Sequence, residues 1–494
     1  MDSFNIKKCF FISLGLCSLY SIPLFMFGGY YIDDMLRSLN GNTDWIANGR
    51  PIAEIFMKFI YFGKKMADIS PIPQLIALGI SSITIALLSK RYYKPSQLIG
   101  CLIFLPLFIS PFYLQNISYK YDAPIMSLSV MFAVLPFIIN PKGNYSLFLI
   151  SSLCCLISLN FYQPALNVYL GFLAIDFFSR VINTDEKPVL SRYLFSLSAY
   201  ALATIIYTKI ISVIFIAGDY SISQSRTLNH DNLIEGIVSN LNSFYNLIKM
   251  SLPPMYFLLL IPAALLSAYS VVKKIAPKFK SNISYGLFIS LASILAFLFS
   301  IASVAGPIIL LQSPSIAPRI FLGFSSLLCL IFFCSTISEL KNKNIILIAL
   351  LVPVAYMYEI SYAYVNSLNN QNNFERSVIS NISGELGLTG SNKENPTKYI
   401  FIKGRIPKSP ENILSFESYP ILQFLVPRTI NNSDFWSGVE IRHYGMELSH
   451  DDGLKKLTEG ENICNLLPTR KGPYYNSYIY NEILIIDFDK TICR

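Results

Sequence analysis

Charge is scarce in this chain. Only 14% of its 494 residues are Asp, Glu, Lys or Arg and 53% are hydrophobic, whereas about a quarter of an ordinary soluble domain is charged. That shortage excludes a soluble enzyme of the usual kind. Histidine is rarer still, with three in the chain, and His230, His443 and His450 lack metal-ligand spacing. There is no glycine-rich phosphate loop, no internal repeat and no low-complexity tract. Asp487-Phe488-Asp489 resembles the metal-binding DxD of nucleotide-sugar enzymes only superficially and reads as a loop after a strand. The net charge is +9, yet no basic stripe with interleaved aromatics points to DNA or RNA. The surplus fits membrane topology and anionic headgroups instead.

What is present is a series of apolar runs along the first 360 or so positions, each of about 18 to 24 residues and so able to cross a hydrocarbon core. A barrel would alternate polar and apolar, so the runs are read as helices. The spans are Lys8 to Phe27, Pro73 to Ser89, Gln97 to Asn116, Ala123 to Ile139, Tyr145 to Leu159, Gln163 to Phe178, Tyr193 to Ala217, Met255 to Val272, Tyr285 to Val304, Ile320 to Ser338 and Ile345 to Tyr362. The expected fold is therefore an all-α polytopic membrane protein of about eleven transmembrane helices. The first span has no small-residue cleavage site after it and is expected to be a retained anchor. Basic residues (Lys7 and Lys8; Lys90, Arg91 and Lys94; Lys142; Arg180, Lys187 and Arg192; Lys273 to Lys280; Lys341 and Lys343) fall in alternate connections, which places the N terminus in the cytoplasm. An odd number of spans then places the C-terminal tail outside.

Composition changes near Tyr362, dividing residues 1–362, the membrane domain, from 363–494. The tail is expected to be a small α/β domain: Lys398 to Lys403 and Ile483 to Asp487 read as strands, and Glu411 to Tyr419 and Gly453 to Thr458 as helical turns. Two external loops, 28–72 and 218–254, are long enough to be functional. Seven of the nine cysteines lie in or beside apolar runs, where they act as small hydrophobes. Cys464 and Cys493 lie in the tail, where an oxidising compartment would allow a disulfide between them.

The residues with chemical potential gather at external helix ends. Tyr30-Tyr31-Ile32-Asp33-Asp34-Met35-Leu36-Arg37 sets two adjacent carboxylates where the chain leaves the first span. Partial desolvation and mutual repulsion would suit one of them to act as a general base. Equally, Asp33 or Asp34 could cap a helix starting at Met35, and the two roles can coexist. Asn48-Gly49-Arg50-Pro51 presents Arg50 before a helix N terminus, a plausible phosphate site; the plainer alternative pairs Arg50 with Glu54. The tyrosines of Tyr119-Lys120-Tyr121-Asp122 and Phe161-Tyr162-Gln163 suit an interfacial aromatic belt, which leaves Asp122 and Gln163 unexplained. Lys209 and Arg319 add positive charge on the same side, or else snorkel to headgroups.

Those segments, in that order within a multi-span plan, resemble the glucosyl transferase type II family, the phage-borne and bacterial O-antigen glucosyltransferases of serotype conversion. The likeness rests on Tyr31-Ile32-Asp33-Asp34 with Arg37, Gly49-Arg50-Pro51, Tyr121-Asp122 and Tyr162-Gln163, and covers roughly the first 340 residues. It implies a GT-C-like glycosyltransferase of the bacterial inner membrane with a periplasmic active site. The implied donor is undecaprenyl phosphate glucose and the implied acceptor the O-antigen of lipopolysaccharide. Asp33 or Asp34 would be the base, supported by Asp122. Arg50, Arg319 and Lys209 would hold donor phosphate, and Tyr31, Arg37, Glu54, Tyr121, Tyr162 and Gln163 would contact sugar or acceptor. A phosphate leaving group is already anionic and demands neither a cofactor nor a metal, although the three aspartates are of a type that binds divalent ions. A lipid-linked sugar flippase or polysaccharide transporter is the rival reading. Such a protein usually shows internal repeats and midplane polar groups, whereas these charges sit at helix ends.

Overall fold

The computed structural model describes residues 4–63, 65–184, 186–338, 342–390, 399–432, 434–448, 468–480 and 483–490. Cys464, Cys493, His450 and the turn expected over 453–458 lie outside them. The chain divides into two units: residues 1–26 with 42–362, and residues 27–41 with 363–494.

The helices run in chain order as α1 (Ile6–Phe25), α2 (Asp33–Asn40), α3 (Pro51–Ile60), α4 (Ile72–Tyr92), α5 (Gln97–Phe104), α6 (Pro106–Ile109), α7 (Leu114–Ser118), α8 (Ala123–Ile139), α9 (Asn144–Phe161), α10 (Leu166–Phe177), α11 (Leu190–Ile206), α12 (Ser212–Phe215), α13 (Asp219–Ser225), α14 (Leu233–Ser251), α15 (Pro254–Ser281), α16 (Ile283–Ala305), α17 (Leu322–Ser335) and α18 (Lys343–Gly390). Among the described residues, eight helical segments are long and apolar enough to cross a membrane, those beginning at Ile6, Ile72, Asn144, Gln163, Leu190, Pro254, Ile283 and Lys343. α8 and α17 are apolar but shorter. The run expected as one span from Gln97 to Asn116 is instead α5, α6 and α7. Ser110 precedes Pro111 and is driven to extended backbone with ψ 153°, which stops α6. The break is buried: the Ser110 hydroxyl bonds that of Ser325 at 2.6 Å and Tyr113 bonds Ser127 at 2.7 Å.

In the first unit α1 packs on α4, α4 on α8, α8 on α9 and α9 on α11, while α10 packs on α16 and α17 and α15 on α17. The α16–α17 approach depends on a missing side chain, since a Cβ on Gly323 would lie 2.4 Å from the Ser303 carbonyl oxygen.

The second unit holds a five-stranded mixed sheet, β1 (Tyr399–Lys403), β2 (Glu447–Leu448), β3 (Arg470–Lys471), β4 (Asn476–Tyr480) and β5 (Ile483–Asp487), in the order β2-β1-β5-β4-β3. β1 pairs in parallel with β2 and β5; β4 is antiparallel to β3 and β5. Both strands expected from sequence are therefore present. Alternation divides them between two apolar layers: Ile400, Ile402, Leu484 and Ile486 join Val378, Ile379 and Ile382 of α18, while Phe401 and Ile485 meet Tyr478 on the other face. The turns expected over 411–419 form α19 (Ile413–Ser418); α20 (Leu422–Leu425) and α21 (Phe435–Arg442) follow.

Two carboxylates lie among these helices. Glu375 of α18 is buried and accepts from the Thr429 hydroxyl, from Thr429 N at 3.3 Å and from Gln371 at 2.8 Å. Glu440 of α21 has its carboxyl pushed up to about 7, by burial first and then by the Glu375 charge, against an opposing pull from Arg376. Above the ordinary carboxylate range but below that value the folded chain keeps a proton the unfolded chain releases. The proton's stabilisation is complete in acid and is lost as pH rises through the folded value. The melting temperature of the detergent-solubilised protein is expected to fall between about pH 5 and about pH 7.5, and Glu440→Gln to flatten that fall. An unchanged profile in the variant would contradict the assignment.

Candidate functional site

The first unit carries a polar assembly at one end of its helix bundle, built on the loop before α3. Trp45 is fully buried, and its carbonyl accepts from Asn48 N at 3.1 Å and Arg50 N at 2.9 Å, folding the loop on itself. Glu54, in the first turn of α3, closes the same loop: its buried carboxylate accepts from the Thr43 hydroxyl and from Trp45 N at 3.2 Å, and pairs with Lys58 at 3.0 Å. Pro51 at the first helical position supplies the fixed φ and needs no donor partner.

Arg50 does not pair with Glu54. It is the N-cap residue, with φ −123° and ψ 58°, so its side chain leaves the helical face on which Glu54 meets Lys58. Its Nε instead donates to Gln163 Oε1 at 3.0 Å, and the guanidinium lies 5.0 Å from the centre of the Tyr162 ring. Among the described residues Arg50 has no ion-pair partner. The Gln163 amide also donates to Asn48 O at 3.2 Å and to Tyr207 Oη at 2.5 Å, and Tyr207 donates to Gly49 O at 3.1 Å. Gln163 thus engages both ends of its amide in holding the Asn48–Arg50 turn.

On the other side of Tyr162, its hydroxyl donates to the Arg319 carbonyl at 3.2 Å. Arg319 N donates to Gln115 at 2.9 Å, and the Arg319 guanidinium bonds the Tyr119 hydroxyl while lying 5.2 Å from that ring's centre. Asp122, at the start of α8, is buried, and its carboxylate accepts the Trp45 indole N–H at 2.5 Å. Tyr121 is buried and stacked on Tyr61. Two arginines are thereby joined through one tyrosine, beside a buried aspartate locked to a tryptophan. This arrangement can hold an anion and orient a polar group close to it.

Lys209 stands apart. Tyr207 of the same turn points inward, and two residues on, Lys209 is on the exposed face with Ile205, Ile210 and Val213, where it suits a headgroup. It makes no hydrogen bond or ion pair among the described residues.

Asp33, Asp34, Arg37 and Tyr31 belong to the second unit. The helix there begins at Asp33, not Met35, and its N-cap is Ile32, so neither aspartate is the cap. Both lie in the first turn, where the helix dipole favours negative charge. Asp34 and Arg37 are buried and Asp33 is half-buried. Ile32 has φ 44°, strained for a β-branched residue by about 1–3 kcal/mol, as is common where function fixes the backbone. Tyr31 is buried and donates to Leu425 O at 2.8 Å. Asp487 accepts from Asp489 N and Lys490 N, a turn after β5 as expected. No metal-holding group of three His, Cys, Asp or Glu side chains occurs among the described residues.

Sequence reasoning passed over Trp45, Tyr207 and Gln115, and read Tyr119 only as part of an interfacial aromatic belt. Trp45 alone carried a signal, as one of two tryptophans in a chain rich in other aromatics.

The fold and this assembly define a polytopic helical membrane protein with a polar, arginine-bearing site at one end of its bundle. The chain belongs to the glucosyl transferase GtrII family, whose model matches residues 22–330, and is accordingly a glucosyltransferase. It is 28% identical over 482 residues to the uncharacterized 55.3 kDa protein in the gtrB 5′ region of Salmonella phage P22, covering 94% of this chain and 97% of that one. No solved structure matches it.

Gly49 tests the assembly. It has φ 72°, and a Cβ there would lie 2.6 Å from Tyr207 Oη. Gly49→Ala is expected to cost about 1–3 kcal/mol and to displace Arg50. Gly218→Ala, at φ 87° with open space around it, should bear the backbone strain alone and keep its transfer rate. Melting temperature and glucose transfer measured on both variants check this; equal losses of activity would speak against the Gly49–Tyr207–Gln163 contact.

Proposed function

We propose that the chain transfers glucose from undecaprenyl phosphate glucose to a sugar hydroxyl on the O-antigen chain of lipopolysaccharide, with inversion, as in serotype conversion. The reaction takes place on the periplasmic side of the bacterial inner membrane, with a GT-C-like membrane domain of about eleven spans, a cytoplasmic N terminus and a periplasmic C-terminal domain. The observation that carries this reading is the Arg50–Tyr162–Arg319 assembly, a ready anion site at the ends of apolar helices. The alternating basic connections support the orientation.

In the displacement, the acceptor oxygen bonds to the anomeric carbon as that carbon's bond to phosphate oxygen breaks. The acceptor proton passes to a carboxylate, and the leaving phosphate monoester gains one negative charge. Arg50 and Arg319 offset that charge, so no acid is needed. The base is assigned to the Asp33–Asp34 pair on the strength of the motif. Asp33, being half-buried, is open to a substrate hydroxyl, while Asp34 and Asp122 are buried and position. Glu54, Tyr121, Tyr162 and Gln163 shape the phosphate site through the contacts described, and Tyr31 and Arg37 accompany Asp33 and Asp34 in the second unit as sugar or acceptor contacts.

Transfer from synthetic polyprenyl phosphate glucose to lipopolysaccharide by purified protein tests the reading. Asp33→Asn is expected to lower kcat by about 10²–10⁴ with folding and donor binding kept. Arg50→Lys keeps the charge but loses the Nε bond to Gln163 and the stack on Tyr162, and should lose about tenfold or more. Near-wild-type turnover in Asp33→Asn, Asp34→Asn and Asp122→Asn alike would sink the carboxylate mechanism. Absence of transfer by the wild type would sink the donor assignment.

A further inference from the structure

The second unit contains a cavity of about 280 Å³ that the reaction above does not use, close to the ~300 Å³ lower end of small-ligand pockets. α18, α21 and the segment ahead of α2 form its walls. One wall is aromatic: Tyr30 stacks on His443 with ring centres 5.8 Å apart and planes 29° apart, and Tyr444 lies beside them. The rest mixes apolar side chains, Phe27, Met35 and Leu368 among them, with polar groups of both signs: Asn372, Arg376 and Glu440, and Glu375, which is already committed to Thr429 and Gln371. Space is kept by Gly29, where a Cβ would fall 2.5 Å from the Phe27 ring and 3.0 Å from the Asn372 amide nitrogen.

These walls select by chemistry. An anion would meet the Glu375 carboxylate, and a cation would meet Arg376. A purely apolar ligand would strip water from Asn372, Glu440 and Arg376 and return no hydrogen bond. A neutral ring with one C–H face and a rim of hydroxyls satisfies both kinds of wall, the face against the aromatic rings and the hydroxyls against amide, carboxyl and guanidinium.

We propose that this cavity binds a neutral pyranose unit of the acceptor glycan, giving the C-terminal unit a sugar-recognition role separate from donor phosphate. As acceptor recognition it rests on the transferase reading; as a pyranose site it does not. Saturation-transfer NMR on the full-length protein in detergent, with methyl glucoside, galactoside, mannoside and rhamnoside as probes, reads binding directly. At least one probe is expected to receive saturation from the wild type, with the signal cut about fivefold or more by Tyr30→Ala and by Asn372→Leu. In the transfer assay the same variants should raise the acceptor KM about tenfold with donor KM and kcat held. Should Tyr30→Ala fail to fold, Asn372→Leu, which keeps the branched four-heavy-atom shape and removes the amide, decides. Silence from all four probes with the wild type, or undiminished signal in folded variants, overturns the site. Probe binding without any glucose transfer leaves the cavity standing and removes the transferase donor; normal transfer with unchanged acceptor KM and unchanged binding in both variants does the reverse.

Discussion

A backbone in hydrocarbon has no water to bond, so every peptide group inside the membrane must be satisfied by its own helix. The rest of this architecture follows from that constraint. Within the bundle even side-chain hydroxyls turn back on their helix: Ser81, Ser82, Thr84 and Ser89 of α4 each donate to the carbonyl four residues earlier, at 2.7–2.8 Å. Such groups are consumed and offer nothing to a substrate. Side chains with several donors or a full charge are pushed toward helix ends, where loops supply partners. The polar assembly of Trp45, Arg50, Asp122, Tyr162, Gln163 and Arg319 occupies helix ends for this reason.

Each member of that assembly holds another. Gln163 and Tyr207 hold the Asn48–Arg50 turn, Trp45 holds Asp122, and Tyr162 ties Arg50 to Arg319. A guanidinium kept in place by one Nε bond and one ring still has its terminal nitrogens to offer, whereas an arginine paired with a carboxylate would have spent them. The displaced Glu54 is what makes this possible. By turning to Lys58 and the loop backbone it leaves Arg50 outside any ion pair among the described residues.

The legible parts of the chain were the local ones. Apolar runs gave the helices because hydropathy is a property of consecutive residues, and β1 and β5 were readable from their β-branched and aromatic content. The break over 97–116 was marked by Pro106 and Pro111 but hidden by uniform apolarity. Pairing Arg50 with Glu54 failed because spacing of four is a helical argument and Arg50 lies just outside the helix. Gln163 could be singled out as polar at a helix end, but its partners Asn48 and Tyr207 stand 115 and 44 positions away. Likewise nothing local ties residues 27–41 to the tail, or sets Glu440 beside Glu375.

The family model ends at residue 330, ahead of the helix and strands that build most of the second unit. Residues assigned to donor phosphate and to the base, from Asp33 to Arg319, all fall within it, whereas Asn372, Arg376, Glu440 and His443 fall beyond it, and only the short stretch from Phe27 to Met35 of the cavity's lining lies inside. A catalytic apparatus that handles one donor is bound by the geometry of one phosphate and one leaving group, and its side chains cannot drift far. A pocket that recognises an acceptor needs only to match whichever sugar it meets, through a few hydrogen bonds set on an aromatic wall. Placing that pocket among α18, α21 and the segment ahead of α2, in the second unit, lets its side chains change without touching the shared contacts of the Arg50–Tyr162–Arg319 assembly in the first.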